Sequence, residues 1–300
     1  MAPASRALWR WKTIGYWIMI LVFGKTGQVA KELQCFDDVI ALDRRDADLS
    51  NPQSCANAIL KHMPKAVINA AAYTAVDKAE EEECLANVIN GDAPTAMAEA
   101  CAELGVPLVH ISTDYVFEGT GERPWCPNDT TAPQNAYGRS KLLGEIGIRN
   151  SGATHTILRT SWVFSAHGNN FVKTMLQFSE TREALTIVSD QIGGPTPARG
   201  IASACLRITE QLIKDPSKSG TYHFSGIQDV SWATFADEIF KQTGRSVTVT
   251  PILTKSYPTR ANRPLNSRMD CRTTELTFGI KRCEWRRDLN EVLKDLEVNI

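Results

Sequence analysis

No block of lysine and arginine occurs anywhere in the 300 residues, and the formal net charge is only -1. The chain therefore lacks the electrostatic footprint of a nucleic-acid or anionic-membrane binder, and any anionic ligand must be met by a local group of donors. No CxxC pair exists among the eight cysteines. Cys35, Cys55, Cys84, Cys101, Cys126, Cys205, Cys271 and Cys283 stand singly, which excludes the common zinc and dithiol spacings and reads as reduced thiols of a cytoplasmic protein. No apolar run reaches the roughly 18 residues that a bilayer crossing needs. Internal repeats and low-complexity tracts are absent too, and the acidic run Glu80 to Glu83 reads as a solvated helix face of little functional weight.

Near the start, Arg6, Arg10 and Lys12 precede the apolar run Ile14 to Phe23, superficially like a secretory signal. The run is too short to span a membrane, no small-residue cleavage site follows, and its last part is needed as a strand. Residues 1–18, with Trp9, Trp11 and Trp17, are accordingly set aside as an upstream extension or cloning remnant, with Met19 as a candidate natural start.

What is present is an ordinary globular balance, 43% hydrophobic and 22% charged, enough for one large domain carrying a smaller one. From Met19 onward short β-branched runs alternate with helical stretches: Ile20 to Phe23, Val39 to Leu42, Ala66 to Asn69, Leu108 to Ile111 and Thr156 to Arg159. Near-continuous apolar strands such as Ala66-Val67-Ile68-Asn69 imply burial on both faces, as in a parallel sheet covered by helices. Past about Phe164 the rhythm loosens at Gly193-Gly194-Pro195, Pro251 to Pro258 and Arg263-Pro264. The expected fold is α/β: a Rossmann-like doubly wound parallel sheet over residues 19–164, to which 185–225 return, and a smaller C-terminal substrate-binding lobe from 165–184 and 226–300.

Directly after the first strand comes Gly24-Lys25-Thr26-Gly27-Gln28-Val29-Ala30. Glycines there allow a sharp turn and close approach of backbone to a pyrophosphate at a helix N-terminus. The GxxGxxA spacing differs from GxGxxG, and a plain tight turn is its bland alternative. At the end of the second strand, Asp43 can hydrogen-bond both ribose hydroxyls of an adenosine, favouring NADH. Arg44 and Arg45 follow, and a guanidinium there pairs with the 2′-phosphate of NADPH, so both cofactors are expected. Asp48 and Leu49 can line the adenine edge; Ala70 to Ala72 bring small side chains to the cofactor ribose or simply pack helix on sheet.

The most informative constellation is Tyr137-Gly138-Arg139-Ser140-Lys141, with Ser112-Thr113-Asp114-Tyr115 at the end of the fourth strand. Tyr137 and Lys141 share one helix face. Reducing a carbonyl by hydride needs an acid for the forming alkoxide, and a free tyrosine, with a pKa of about 10, is a poor one until a neighbouring ammonium stabilises tyrosinate. Lys141 can do this and hold the nicotinamide ribose, while the Thr113 hydroxyl orients the substrate oxygen. Alone, a Tyr-x-x-x-Lys pair is commonly a surface helix pair; beside Thr113 and the glycine loop it becomes a candidate catalytic set.

The segments FGKTGQVAKEL, NAAAYTAVDKAE, STDYVFEGTG, YGRSKLLGE, RTSWVF, GNNFVKTML, DQIGGPTPA and RPLNSRMD resemble the dTDP-4-dehydrorhamnose reductases, which are extended short-chain dehydrogenases. The resemblance runs from residue 21 to residue 270 and implies reduction of dTDP-4-dehydro-L-rhamnose to dTDP-L-rhamnose with NADPH or NADH. Carried over position by position, it implies Gly27, Gln28 and Val29 at the pyrophosphate, Asp43 at the adenosine ribose, Asp48 and Leu49 near adenine, and Ala72, Tyr73 and Thr74 along the cofactor, beside Gly24 and Arg44 read from the glycine turn and the strand end themselves. It further implies Thr113, Tyr137 and Lys141 as the catalytic set, with Asp114, Tyr115 and Trp162 contacting the sugar; sheet-edge packing is the alternative, above all for Tyr115 and Phe117. Two positions depart from the pattern: Ala30 where glycine is usual, and Tyr73 where some members have histidine. Members can bind Mg²⁺ between subunits, but no compact ligand motif stands here and no metal residue is assigned.

A sugar-nucleotide dehydratase would need consecutive Asp and Glu after Thr, whereas Thr113-Asp114-Tyr115 has one carboxylate, so keto reduction is favoured over dehydration or epimerisation. A non-catalytic dinucleotide-binding subunit, similar to the regulatory β subunit of methionine adenosyltransferase, is the alternative from another class. Lys173, Arg199 and Arg263 to Ser267 are candidates for the nucleotide end of the substrate, with surface solvation the alternative for each lone basic residue. A homodimer is expected by base rates for soluble enzymes.

Overall fold

The computed structural model describes residues 19–298, so the segment 1–18 read as an extension lies outside the described residues. Six parallel strands, β1 (Ile20–Phe23), β2 (Val39–Leu42), β3 (Ala66–Asn69), β4 (Leu108–Thr113), β5 (His155–Thr160) and β6 (Gly220–His223), form one sheet in the order β6-β5-β4-β3-β1-β2. The first three strands have the boundaries read from the sequence; β4 and β5 run further. There the apolar pattern fades into Ser112 and Thr113, yet the ladder continues because Ser112 pairs with Arg159 and Thr113 with Thr160.

The principal helices are α1 (Gln28–Leu33), α2 (Pro52–His62), α3 (Ala93–Leu104), α4 (Ala136–Asn150), α5 (Phe171–Phe178), α6 (Ala198–Lys214), α7 (Trp232–Gln242) and α8 (Trp285–Asp295). All four residues of β1 are buried because successive side chains enter opposite layers. Ile20 and Val22 join Val29 and Leu33 of α1 and Ile201, Cys205 and Ile208 of α6. Leu21 and Phe23 join Ile59 of α2, Met97 and Cys101 of α3 and Ile148 of α4. A further core gathers Phe164, Val172 and Met175 around Phe235 of α7 and Trp285 and Leu289 of α8. Among the described residues no helix is long and apolar enough to cross a membrane.

The chain leaves β1 toward β2 and returns to the other side at β3, so strand order reverses between β1 and β3, where open α/β sheets bind ligands beyond the strand ends. Gly24 turns there with φ +106°, and a Cβ on it would sit 3.3 Å from the Ala70 carbonyl group. This is a backbone approach that only glycine makes without strain.

A single π-turn, Val88–Asp92, precedes α3 and presents its backbone to α4. Gly144 accommodates this contact: a Cβ there would lie only 2.1 Å from the Asn90 carbonyl oxygen. Gly144→Ala must push α4 off the π-turn, and we expect it to cost about 1–3 kcal/mol, as overpacking of a tight contact does. A lowered urea midpoint with an unchanged slope is the expected measurement; an unchanged midpoint contradicts it.

Candidate active site

The helix α4 carries Tyr137 and Lys141, and three devices fix its first turn. Asn135 is its N-cap, accepting from the Gly138 N–H at 2.7 Å and donating to the Asn262 carbonyl at 2.8 Å. Glu80 accepts from the Ala136 N–H at 2.8 Å, and Glu83 takes Arg139 in a two-pronged pair at 2.7 and 2.9 Å. Gly138 lies so close to Tyr115 that a Cβ would fall 2.2 Å from its carbonyl oxygen. The acidic run Glu80 to Glu83 is thus corrected: Glu80–Glu82 form the turn between the short helices Val76–Ala79 and Glu83–Asn87, and the run clamps α4. Its partners lie more than fifty residues away, so local charge pattern could not reveal it.

Thr113 ends β4, close enough to Tyr137 to oppose in part the rise of its hydroxyl pKa. Thr113 Oγ1 donates to Asp114 Oδ1 at 3.1 Å and accepts from the Tyr115 N–H at 3.2 Å. Tyr115 packs edge-on against Tyr137, ring centroids 5.5 Å apart. Burial, reinforced by the charges of Asp114 and Tyr115, pushes the Tyr137 hydroxyl well above its ordinary range. Asp114 is buried with Oδ2 unpartnered. Burial raises its carboxyl to about 6, against the opposing hydrogen bonds of Ser267 and Thr113. Lys141 is 1% exposed; its Nζ donates to the Ile111 carbonyl at 2.8 Å and lies 3.0 Å from His110 Nε2.

Around the glycine turn, Gly27 is the N-cap of α1 and Gln28 and Val29 follow it. Val29 is buried in the core, so its contribution to a bound anion is its backbone N–H. The Gln28 amide points away from the turn, its oxygen accepting from Ser165 Oγ at 2.9 Å and from Asn170 Nδ2 at 3.0 Å. Asp43 receives the Arg45 N–H at 2.8 Å and stands 3.6 Å from Lys25; chiefly the former holds its carboxyl below the usual range. Arg44 pairs with Asp48 at 3.5 Å, Asp48 caps the Ser50 N–H, and Leu49 packs on the core below. Ala72 and Thr74 lie in the segment after β3, while Tyr73 is held by Asn90 through its backbone and by Glu82 through its hydroxyl at 2.7 Å.

A cleft of about 620 Å³ opens beside Tyr115 and is lined by Asn135, Asp190, Lys255, Tyr257 and Arg263. Arg263 lies 3.4 Å from the Tyr115 hydroxyl and pairs with Asp77. Asn266 and Ser267 are buried instead: Asn266 holds the carbonyls of Thr120 and Arg123, and Ser267 lies close enough to Asp114 to oppose the rise of its carboxyl. Lys173 lines a different, larger cleft of about 800 Å³, remote from Thr113 and Tyr137 in its lining, and Arg199 bridges Glu32 to Asp295. Neither joins the site. Trp162 adopts φ +50°, strained for a bulky residue, with its indole stacked on Trp232 at 3.6 Å. Sequence reading missed Asn135, Asp190, Lys255 and Tyr257; Asp190 opens the segment DQIGGPTPA, and no motif marks the other three. Among the described residues no group of three His, Cys, Asp or Glu side chains is placed to hold a metal ion.

Comparison with known proteins shows the family. Residues 18–298 match the family profile described as the RmlD substrate binding domain. The dTDP-4-dehydrorhamnose reductase of Sinorhizobium fredii is 42% identical over 284 residues, covering 91% of this chain and 96% of its own. That of Escherichia coli strain K12 is 38% identical over 291 residues, or 92% and 97%. The crystal structure of a dTDP-4-dehydrorhamnose reductase from Clostridium acetobutylicum matches with a TM-score of 0.86 at 38% identity, over 93% of this chain and 99% of that one. A Bacillus anthracis enzyme of the same name, in complex with NADP, matches with a TM-score of 0.86 at 33% identity, over 92% and 99%. The chain belongs to the dTDP-4-dehydrorhamnose reductase family.

Proposed function

We propose that the protein reduces the C4 keto group of dTDP-4-dehydro-L-rhamnose to give dTDP-L-rhamnose, with a nicotinamide cofactor at the β1–β3 switch point. The observation that carries this reading is the gathering of Thr113, Tyr137 and a single carboxylate, Asp114, at the end of β4, beside a cleft of nucleotide-sugar size. The glycine turn at Gly24 and Gly27 and the N–H groups of Gln28 and Val29 suit a pyrophosphate, with Asp43, Arg44, Asp48 and Leu49 at the adenosine. The cofactor supplies hydride when bound. Thr113 donates a hydrogen bond to the substrate carbonyl oxygen, exchanging it for Asp114. Tyr137, kept protonated by its environment, gives its proton to the oxygen as alkoxide character develops. Asp114 Oδ2, buried without a partner, accepts a sugar hydroxyl, and Tyr115 and Trp162 bound the sugar. The segments 165–184 and 226–300 supply the substrate lobe.

A dehydratase would need a second acid–base group beside Asp114, and Tyr115 stands there. Eight free cysteines fit a reducing compartment, so we place the enzyme in the cytoplasm, as a homodimer. Among the described residues no donor set for Mg²⁺ is gathered, and no step is routed through a metal.

The test is oxidation of NADPH or NADH in the presence of dTDP-4-dehydro-L-rhamnose, with dTDP-L-rhamnose as product. Cofactor binding without turnover would instead support the regulatory-subunit reading. Both cofactors are expected to work. Arg44→Ala should raise KM for NADPH about tenfold or more while leaving NADH nearly unchanged, because a charge-assisted hydrogen bond to the 2′-phosphate is worth about 1.5–3 kcal/mol. Equal changes for both cofactors would remove Arg44 from phosphate recognition.

A further inference from the structure

Behind Lys141 lies a chain of buried polar groups whose donors and acceptors can be assigned one by one. The Ala71 N–H donates to Asn69 Oδ1 at 3.1 Å, and a backbone N–H can only donate, so the orientation of the Asn69 amide is fixed. Its Nδ2 therefore faces His110 Nδ1, 3.1 Å away, as the donor. His110 Nδ1 must then be the bare, accepting nitrogen, and in a neutral ring the proton sits on Nε2. That N–H points at Lys141 Nζ across 3.0 Å. An ammonium has no lone pair to receive it; a neutral amine has one, and still donates to the Ile111 carbonyl at 2.8 Å.

We infer that Asn69 locks the tautomer of His110, and that His110 in turn favours the neutral amine of Lys141 over the ammonium, making His110 a positioning residue that sets when Lys141 takes its charge. The inference rests on Lys141 belonging to the reductase site. The environment of both groups agrees with it. Asn69 and His110 are fully buried and Lys141 nearly so. Burial lowers Lys141 to about 8, opposed by Glu145 one turn along α4, so the neutral amine prevails above that pH; burial foremost pushes His110 well below its usual range, which keeps its ring neutral. Tyr137, one turn the other way, is neutral. Charging Lys141 thus requires losing the His110 donor bond or flipping Asn69 away from Ala71, and the ammonium–tyrosinate pair expected from sequence is not preformed.

Two measurements test this. In protein labelled with ¹⁵N-histidine, the His110 ring, assigned by its loss in His110→Gln, should be protonated at Nε2 and bare at Nδ1 at pH 9; an Nδ1-protonated ring overturns the inference. Second, the pH dependence of NADPH affinity should show an inflection near the Lys141 value of about 8 that vanishes in Lys141→Met. In His110→Gln the glutamine carbonyl accepts from the ammonium, so the inflection should rise by about one pH unit or more, tenfold in proton affinity. If it vanishes in Lys141→Met but stays put in His110→Gln, the site reading stands and the lock is wrong. If Lys141→Met changes neither affinity profile nor turnover, the site reading fails and the inference goes with it. Should His110→Gln not fold, the ring tautomer in the unaltered protein still decides.

Discussion

Tyr137→Phe is expected to lower kcat by about 10³-fold, the middle of the range for removing a positioned general acid, while NADPH still binds. Phenylalanine keeps the ring and its edge-on contact with Tyr115, 5.5 Å between centroids, so the fold and the cofactor groove are left intact. Only the proton donor is lost. Thr113 would remain to polarise the carbonyl, and this residual stabilisation is why some activity should persist. Steady-state kinetics together with a cofactor titration separate the two effects. Equal losses of turnover and cofactor affinity would mean that Tyr137 binds rather than protonates. Activity within a few-fold of normal would remove it from the chemistry altogether.

The largest stability effect is expected at Glu145, below the site on α4. Its carboxylate is wholly buried and receives Arg159 at 2.8 and 2.6 Å, Ser112 at 2.6 Å and Arg149 at 3.2 Å. Glu145→Ala leaves the Arg159 guanidinium buried without its counter-charge and should cost about 3–5 kcal/mol of unfolding free energy, as breaking one side of a buried pair does. Replacing both partners, Glu145→Leu with Arg159→Met, should cost less than the single change, because no lone charge remains. Denaturant unfolding of the three proteins checks this; a double variant weaker than Glu145→Ala would show that Arg159 acts mainly elsewhere, through its bond to the Pro127 carbonyl.

The same pair has a pH signature. Burial alone would raise Glu145, but Arg159 and Ser112 outweigh it and the folded carboxyl lies below its ordinary value. A depressed carboxyl binds fewer protons when folded, so its stabilisation is complete above the unfolded value of about 4.3 and fades as pH falls through the lower, folded one. The stability gap between the normal protein and Glu145→Ala should therefore be constant near neutrality and close only in acid.

The sequence exposed what depends on local order. The boundaries of β1 to β3, the glycine turn, and the Tyr137–Lys141 spacing all follow from side-chain periodicity and backbone freedom within a few residues. It concealed what depends on distant partners. Glu80 and Glu83 looked like solvent-facing charge until the fold set them against Ala136 and Arg139. Gln28 matched a motif by position, yet its amide reaches residues more than 130 further along. His110 sat within an apolar strand with nothing to mark it, and Asn266 within a motif that suggested ligand contact while its side chain braces a loop. Lys173 and Arg199 were candidates only as cations, and a cation's destination is a tertiary fact.

The Gln28 bridge has a mechanical consequence. One side-chain oxygen sits on the glycine turn and takes hydrogen bonds from Ser165 and from Asn170, the residue that caps α5. The start of α1, beside the turn that would carry the cofactor, and the start of α5 are therefore tied through one side-chain oxygen, and a change at either end falls first on the bonds of Gln28.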